Sequence, residues 1–361
     1  MSSSQRQSRG VLAMTVLGPV LAVIAALLVG AVIMLLSGHD PIAAYTALLD
    51  GSLNGRRAIA ETLIYTAPLM LGGLAFAIAY RASLFNIGIE GQLVIGGLAA
   101  GIVGAWDLGL PTVLHLPLTL VAAALAGGIW GAIPGALRAF TGAHEVITTI
   151  MLNYLAYRLI NYTIQKLGDW LPVDNQFQAT NRAMDTARLP IVLDGTRLHA
   201  GILIALASAV LLWYLLFRTS FGFKVRTVGL SLGAAQYSGI SWRAVFIMAM
   251  LLSGMLAGLA GAGEALGLHG RHFATPPGYG FTAIAVGLVG RNHPLAIIPS
   301  ALLFGALSAG APAMQSDADV SKEIVLVLQG LVILAVAAFA AANRIPGLRK
   351  LATPRMSSGR I

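Results

Sequence analysis

The sequence of 361 residues contains no cysteine and very little charge. Without cysteine the chain has no disulfides, no thiolate ligands for zinc or iron–sulfur clusters, and no thiol nucleophile. Only 10% of the residues are charged, whereas an average soluble protein has about 25%. With 57% apolar residues and a mean hydropathy of +0.81, the chain cannot form a soluble surface. The composition therefore indicates an integral membrane protein, as do the 42 glycines.

The chain also lacks the motifs of ATP hydrolysis and of common hydrolases. A P-loop needs a Gly-Lys pair followed by Ser or Thr, because the lysine must reach the phosphates. The four lysines follow Gln165, Phe223, Ser321 and Arg349, so this pair is absent. No HExxH motif is present, and neither GxSxG nor GxGxxG occurs between a predicted strand and a helix. We therefore expect that this chain is not an enzyme.

Long apolar runs predict the membrane helices, since about 20 predominantly apolar residues cross a bilayer as a helix. The first run, residues 11–36, is too long for a signal peptide and is expected to be retained. The further predicted spans are 59–80, 84–106, 111–137, 146–164, 200–217, 244–268, 294–312 and 324–342. The stretch 281–290 is too short to cross alone and predicts part of a broken or tilted helix.

The positions of the basic residues predict the orientation. With ten crossings and a cytoplasmic N-terminus, 14 Lys and Arg fall on inside segments and eight on outside segments. We predict an all-α polytopic membrane protein with about ten helices, one or more of them broken or short, and both termini cytoplasmic. Its parts would be a tail at 1–10, a single transmembrane domain at 11–343, and a basic tail at 344–361.

Two predicted spans carry polar side chains near their start. The segment 80–101 places Asn86, Glu90 and Gln92 before an apolar helix. A carboxylate at membrane depth is costly, so it normally faces a cavity or a partner. Glu90 therefore either lines a transport pathway or holds a helix end or a neighbouring backbone amide, and the sequence leaves both interpretations open.

The second polar segment is 138–161. Its Glu145 complements the dipole of a predicted helix start. Polar side chains then follow at roughly helical spacing: Thr148, Thr149, Asn153, Tyr157 and Asn161. A stripe of hydroxyls and amides suits a sugar or nucleoside, but ordinary hydrogen bonding between helices requires the same pattern.

A third segment, 218–243, contains four basic residues and no acidic ones. Ser231 is a suitable N-cap for a short helix over 232–238, and Gly239 supplies the left-handed residue that ends it. A short capped helix on a basic loop is either a docking element for another protein or a solvated connection.

Four sequence segments together resemble the permease subunits of bacterial ABC importers. They are FNIGIEGQLVIGG, HEVITTIMLNYLA, RTSFGFKVRTVGLSLGAAQYSGI and GYGFTAIAVGLVGRNHPLAIIPSALLFG. The resemblance runs over about residues 60–345 and is to the ribose/branched-chain amino-acid class, within it to the nucleoside and simple-sugar branch. It implies an ATPase on a separate subunit that carries ATP and Mg, an extracytoplasmic solute-binding protein, and a location in the bacterial inner membrane.

The resemblance also implies a second, homologous permease. A heterodimer is favoured because residues 1–58 resemble the longer of two unlike permeases. We expect no cofactor in this chain and no nucleic acid as a partner.

By the same resemblance, residues 218–241 correspond to the cytoplasmic loop that couples to the ATPase. The expected coupling residues are Arg218, Gly222, Arg226, Gly229, Ala234, Ala235 and Gly239. The expected residues of the substrate pathway are Asn86, Glu90, Glu145, Asn153, Tyr157 and Glu264.

Three questions remain open at this point. An ion-gradient-driven secondary transporter would use Glu90 or Glu264 as an ion site and would need no ATPase. His269 and His272 near Glu264 have metal-ligating chemistry, but their Gly-rich setting does not predict a metal site. The mixed-charge outer loop 165–199 is either solvated or receives the binding protein.

Overall fold

The computed structural model describes residues 21–321 and 323–342, which are mostly helical. In chain order the helices are α1 (Leu21–Leu36), α2 (Pro41–Leu53), α3 (Arg56–Arg81), α4 (Ile89–Ala105), α5 (Thr112–Thr141), α6 (Glu145–Lys166), α7 (Gly201–Arg218), α8 (Ser220–Leu230), α9 (Leu232–Tyr237), α10 (Trp242–Ala262), α11 (Tyr279–Val289), α12 (Pro294–Ala318) and α13 (Glu323–Ala342). A π-helix, Gly263–Leu268, directly continues α10. The predicted tails at 1–10 and 344–361 lie outside the described residues.

Within residues 21–321 and 323–342, five helices are long and apolar enough to cross a membrane: α3, α5, α7, α10 with its π-helical extension, and α12. Four shorter apolar helices, α1, α4, α11 and α13, accompany them. The predicted span 146–164 does form a helix, α6, of 22 residues. Its polar and charged side chains keep it out of the group of long apolar helices. The chain is thus a helical, multi-pass membrane protein, as the composition predicts.

The chain divides into two compact units, Met1–Leu48 with Ala311–Ile361, and Leu49–Gly310. In the first unit α1 lies against α13, because Gly30 leaves the space that the side chain of Leu328 fills. The second unit holds the helices from α3 to α11 and every predicted pathway and coupling residue.

Glycines bring three helices of the second unit into backbone contact. A Cβ added to Gly96 of α4 would overlap the backbone of Gly258 on α10, and one added to Gly254 would overlap the carbonyl of Gly127 on α5. Small residues allow such close approach in membranes, where helices associate through van der Waals packing. α4, α5 and α10 therefore form the packed centre of this unit.

The helix α4 is shorter than the sequence predicts. The expected span 84–106 becomes helical only at Ile89. The reason is local, because the Asn86 side-chain oxygen accepts the N–H of Gly88 at 2.9 Å in a turn that competes with helix formation. Residues 82–88 thus lead into α4 as non-helical chain.

The loop 165–199, predicted to lie outside the membrane, contains a small exception to the all-α prediction. Strands β1 (Val173–Asp174) and β2 (Ala179–Thr180) pair antiparallel. The second strand also holds the lead-in to α11, since the backbone N–H of Thr180 donates to the His272 carbonyl at 2.8 Å. The loop therefore positions the segment from which α11 begins.

Candidate functional site

The N-termini of the two short helices α4 and α11 meet at the carboxylate of Glu90. Glu90 stands in the first turn of α4 and is only 1% exposed. One of its oxygens accepts the N–H of Gly278 at 2.7 Å, and the other accepts the N–H of Gly280. Gly278 is the N-cap of α11 with a φ of 81°, a left-handed conformation that glycine adopts without strain. One negative charge thus faces the positive dipole ends of two helices.

Asn86 forms a second, fully buried polar contact beside Glu90. Its amide donates to Gln92 at 3.0 Å and to the hydroxyl of Ser253 at 2.8 Å. Ser253 in turn donates to the carbonyl of Ala75 at 2.6 Å. This network joins the lead-in of α4 to α10 and α3.

The polar stripe on α6 is partly engaged with the same lead-in. Asn153 accepts the N–H of Gly91 at 2.8 Å and donates to the carbonyl of Ile87 at 2.9 Å. The Thr149 hydroxyl lies 3.3 Å from the N–H of Ile87. These two side chains hold α4 to α6, which is the interhelical hydrogen bonding that the sequence left open.

The other predicted pathway residues lie apart from this network. Glu145 pairs with Arg138 at 3.4 Å at the start of α6. Tyr157 is half-buried and lies edge-on to Tyr154, with ring centroids 6.2 Å apart. The structure therefore brings Asn86, Glu90 and Asn153 together, and leaves Glu145 and Tyr157 outside their hydrogen bonds.

Glu264 occupies the π-helix, where the backbone departs from the regular helix as it often does at functional sites. Its carboxylate lies 3.5 Å from His269 Nε2 and within hydrogen-bonding reach of the Tyr279 hydroxyl. The ring of Tyr279 meets Tyr65 edge-on, with centroids 6.4 Å apart. Glu264 also lines a small, water-sized pocket together with His199.

The sequence does not single out Tyr65, His199 or Tyr279. Their contacts with the π-helix join distant parts of the chain, and no local pattern signals them. His272, considered beside Glu264 as a metal ligand, instead packs on Gly97 of α4. In the part of the chain that the structure describes, no three such side chains form a group that could hold a metal ion.

The segment 218–243 folds as two short helices, α8 and α9, named here the two-helix segment. The Ser231 hydroxyl accepts the N–H of Ala234 at 3.2 Å, and Gly239 has a φ of 70° after the end of α9. The predicted capped helix is confirmed, and it ends one residue earlier, at Tyr237. α8 replaces the loop that the sequence predicts, with Thr219 as its N-cap.

Two glycines place α8 directly against its neighbours. A Cβ at Gly229 would overlap the carbonyl of Arg81 at the end of α3. A Cβ at Gly222 would overlap the carbonyls of Leu215 and Leu216 on α7. Substituting either glycine would push α8 away from these helix ends.

Cationic side chains stack on aromatic rings around the same junction. The guanidinium of Arg226 lies 5.2 Å from the ring centroid of Phe217, and that of Arg81 lies 5.6 Å from it. Arg81 also donates to the carbonyl of Asn292 at 3.0 Å. Arg218 lies 5.7 Å from the ring of Trp213. The two-helix segment is therefore fixed to the ends of α3 and α7.

The opposite side of the two-helix segment is apolar and exposed. Leu230 is 88% exposed and Tyr237 is 97% exposed, and Phe223 is exposed as well. Ala234 is exposed, whereas Ala235 is buried against the protein.

Apolar helices, two short helices whose N-termini meet at a buried carboxylate, and an anchored two-helix segment with exposed apolar side chains are the features expected of a membrane-spanning transport subunit. The family described as "Branched-chain amino acid transport system / permease component" matches residues 58–337. The chain belongs to this permease family.

Three relatives are similar over most of this chain. The guanosine ABC transporter permease protein NupP of Bacillus subtilis is 41% identical over 92% of this chain and 96% of its own length. The glucose ABC transporter permease protein TsgB13 of Haloferax volcanii is 37% identical over 88% and 85%. The nucleoside ABC transporter permease protein NupB of Lactococcus lactis is 35% identical over 89% and 90%. The protein is thus an ABC permease subunit and not an enzyme, and the ion-gradient alternative has no support.

Proposed function

We propose that this chain forms half of the pathway by which an ATP-driven importer moves nucleosides, or related simple sugars, into the cell. The carrying observation is the similarity to the guanosine permease over nearly the whole of both chains. The similarity to the nucleoside permease supports the same class of solute. The similarity to the glucose permease supports a sugar ring as the part that these solutes have in common. The other half of the pathway would be a second, unlike permease.

In this proposal the chain crosses the bacterial inner membrane ten times with both termini in the cytoplasm. The nine predicted spans correspond to helices among the described residues, and α11, too short to cross alone, would complete a tenth crossing together with the chain that flanks it. The two-helix segment and its arginines then lie on the cytoplasmic side, in agreement with the excess of basic residues expected there. The outer loop 165–199 faces the solute-binding protein.

The two-helix segment is the proposed contact with the ATPase, which carries ATP and Mg on a separate chain. Its exposed Leu230 and Tyr237 would enter a groove of that subunit. Because Gly229 brings α8 onto the backbone of Arg81, a push on α8 acts directly on the end of α3. From there seven residues of non-helical chain lead to Glu90 and the N-terminus of α11.

The buried polar residues are the proposed gate of this pathway. Glu90 holds the N-termini of α4 and α11 together, while Asn86 and Asn153 fix the chain that leads into α4. Half-helices that end near the membrane centre are a recurrent setting for transported solutes. Glu145, Tyr157 and Glu264 would contribute along the path on either side of this gate.

Reconstitution tests this function. The chain is co-purified with the second permease and the ATPase of the proposed complex and is placed in liposomes. The solute-binding protein and radiolabelled guanosine are then added. We expect guanosine uptake only when hydrolysable ATP is present on the side of the liposome membrane where the ATPase lies. A non-hydrolysable ATP analogue on that side should give no uptake. Guanosine uptake by this chain alone, driven by an ion gradient, would refute the proposal.

A further inference from the structure

The helix α6 carries a charged side chain on its exposed side. Arg158 lies within the predicted span 146–164, and its side chain is exposed. In the described part of the chain its guanidinium has no ion pair, hydrogen bond or aromatic contact. α6 has 22 residues and is roughly 33 Å long, about the thickness of the hydrocarbon core of a bilayer. Arg158 stands about 12 Å before the end of the helix at Lys166. In the proposed ten-helix arrangement its charge therefore lies at hydrocarbon depth.

The opposite side of α6 is packed on the centre of the protein. It contributes Ala156, Ile160 and Ile164 to a buried apolar cluster. The helix α4 contributes the other large side chains of this cluster, Val94, Ile95 and Leu98. Asn153 adds hydrogen bonds to the same neighbour. α6 is therefore fixed along one side, and the side with Arg158 is turned away from α4.

The exposed side of α6 differs in composition from the exposed sides of α5 and α7. Between Leu118 and Leu137 every exposed residue of α5 is aliphatic, and the same holds for α7 between Leu203 and Leu211. On α6 the exposed large side chains are Ile147, Met151, Tyr154, Leu155, Arg158, Leu159 and Tyr162. Protein–protein interfaces are enriched in aromatic residues, Met and Arg. The exposed side of α6 therefore has the composition of a protein contact, whereas those of α5 and α7 have the composition of a lipid contact.

We propose that the side of α6 with Met151, Tyr154, Arg158 and Tyr162, named here the α6 surface, packs against the second permease, and that Arg158 pairs there with a carboxylate of that subunit. A charged side chain at membrane depth normally faces the interior of a bundle and pairs with another polar group. The described part of this chain supplies no such group to Arg158, so a neighbouring chain has to supply it.

The charge of Arg158 also favours an unlike neighbour over a second copy of this chain. A symmetric dimer packed through the α6 surface would bring the same residues of both copies to one interface. Two arginines would then repel each other where little water screens their charges. This inference rests on the proposed function, which requires a second, unlike permease.

A photo-crosslinking amino acid tests where the α6 surface lies. In the complete complex in liposomes, p-benzoylphenylalanine replaces Tyr154, which is 66% exposed, and the sample is irradiated. We expect a covalent product that contains this chain and the second permease. The matched control is the same replacement at Tyr214 of α7, which is 55% exposed and should give no product with the second permease.

Substitution of Arg158 tests the ion pair. Losing one member of a desolvated charge pair leaves the other unpaired and acts mainly on dissociation. In Arg158→Leu the second permease should therefore dissociate from the detergent-solubilised complex roughly 30-fold faster or more. Arg158→Lys keeps the charge and should dissociate at close to the wild-type rate. Leu125→Ala, on the aliphatic side of α5, is the control and should leave the rate unchanged.

The outcomes separate the α6 surface from the proposed function. Crosslinking at Tyr154 to lipid alone or to a second copy of this chain, or a wild-type dissociation rate in Arg158→Leu, would overturn the inference. ATP-driven guanosine uptake by that same complex would leave the importer function standing. A complex that crosslinks as expected but takes up no guanosine with ATP would overturn the proposed function and leave the α6 surface in place.

Discussion

Replacing Glu90 with Gln should release the N-terminus of α11. Gln keeps the size of the side chain but removes the charge, and its amide nitrogen cannot accept from Gly278 or Gly280. A hydrogen bond to a charged group contributes about 1.5–3 kcal/mol, and the lost attraction to two helix dipoles adds roughly 0.3–1 kcal/mol for each. We expect the contact between α4 and α11 to weaken by about 2–5 kcal/mol.

The absence of cysteine makes this release measurable, because one introduced thiol is the only one in the chain. Ala274→Cys places it in the lead-in to α11 at a position that is only 7% exposed. If labelling requires local opening, a loss of about 2 kcal/mol should raise the maleimide reaction rate roughly 30-fold in Glu90→Gln. Glu90→Asp, which keeps the charge but shortens the side chain, should give an intermediate rate.

A second thiol provides the control. Asp107→Cys lies in an exposed loop after α4 and should react equally fast with and without the Glu90 substitution. Equal rates at Ala274→Cys in Glu90 and Glu90→Gln proteins, with equal melting temperatures, would show that the carboxylate does not hold α11 and would refute the reasoning.

Three further substitutions test other contacts. Gly239→Val forces a β-branched residue to a φ of 70° and should uncouple ATP hydrolysis from uptake, which are both measured. Gly233→Ala in α9, where an added Cβ meets nothing within 4 Å, should leave the two coupled. Arg226→Glu removes the cation from Phe217 and should uncouple too, with assembly measured by co-purification; normal uptake would contradict the anchoring role. Asn153→Leu leaves the N–H of Gly91 and the carbonyl of Ile87 without their hydrogen bonds, so we expect thermal unfolding to show about 1–3 kcal/mol less stability. Asn161→Leu should change the stability little, because the Asn161 amide bonds only to its own helix.

The sequence predicts those features that depend on neighbouring residues. Apolar runs locate the helices, and Ser231 with Gly239 predicts the short capped helix because capping involves residues within a few positions. The predicted start of α4 is five residues too early, since the turn at Asn86 competes with the helix. That turn is also local, and the Asn and Gly around it were a usable signal.

The contacts of the polar site depend on distant parts of the chain. Glu90 bonds to residues 188 and 190 positions away, so the sequence could not decide between a pathway residue and a helix anchor. His199 reaches its pocket only because Gly201 and Gly267 leave room for its ring.

The glycine contacts among α4, α5 and α10 determine which parts of the protein are able to move during transport. Where a backbone touches a backbone, a shift of one residue along either helix would place a side chain where only a hydrogen fits. Sliding between these helices is therefore blocked at Gly96, Gly127 and Gly258. The three helices should therefore move as one block, with the lead-in at residues 82–88 tied to them and to α6 by its hydrogen bonds. Relative motion during transport is then expected at helix junctions outside this block.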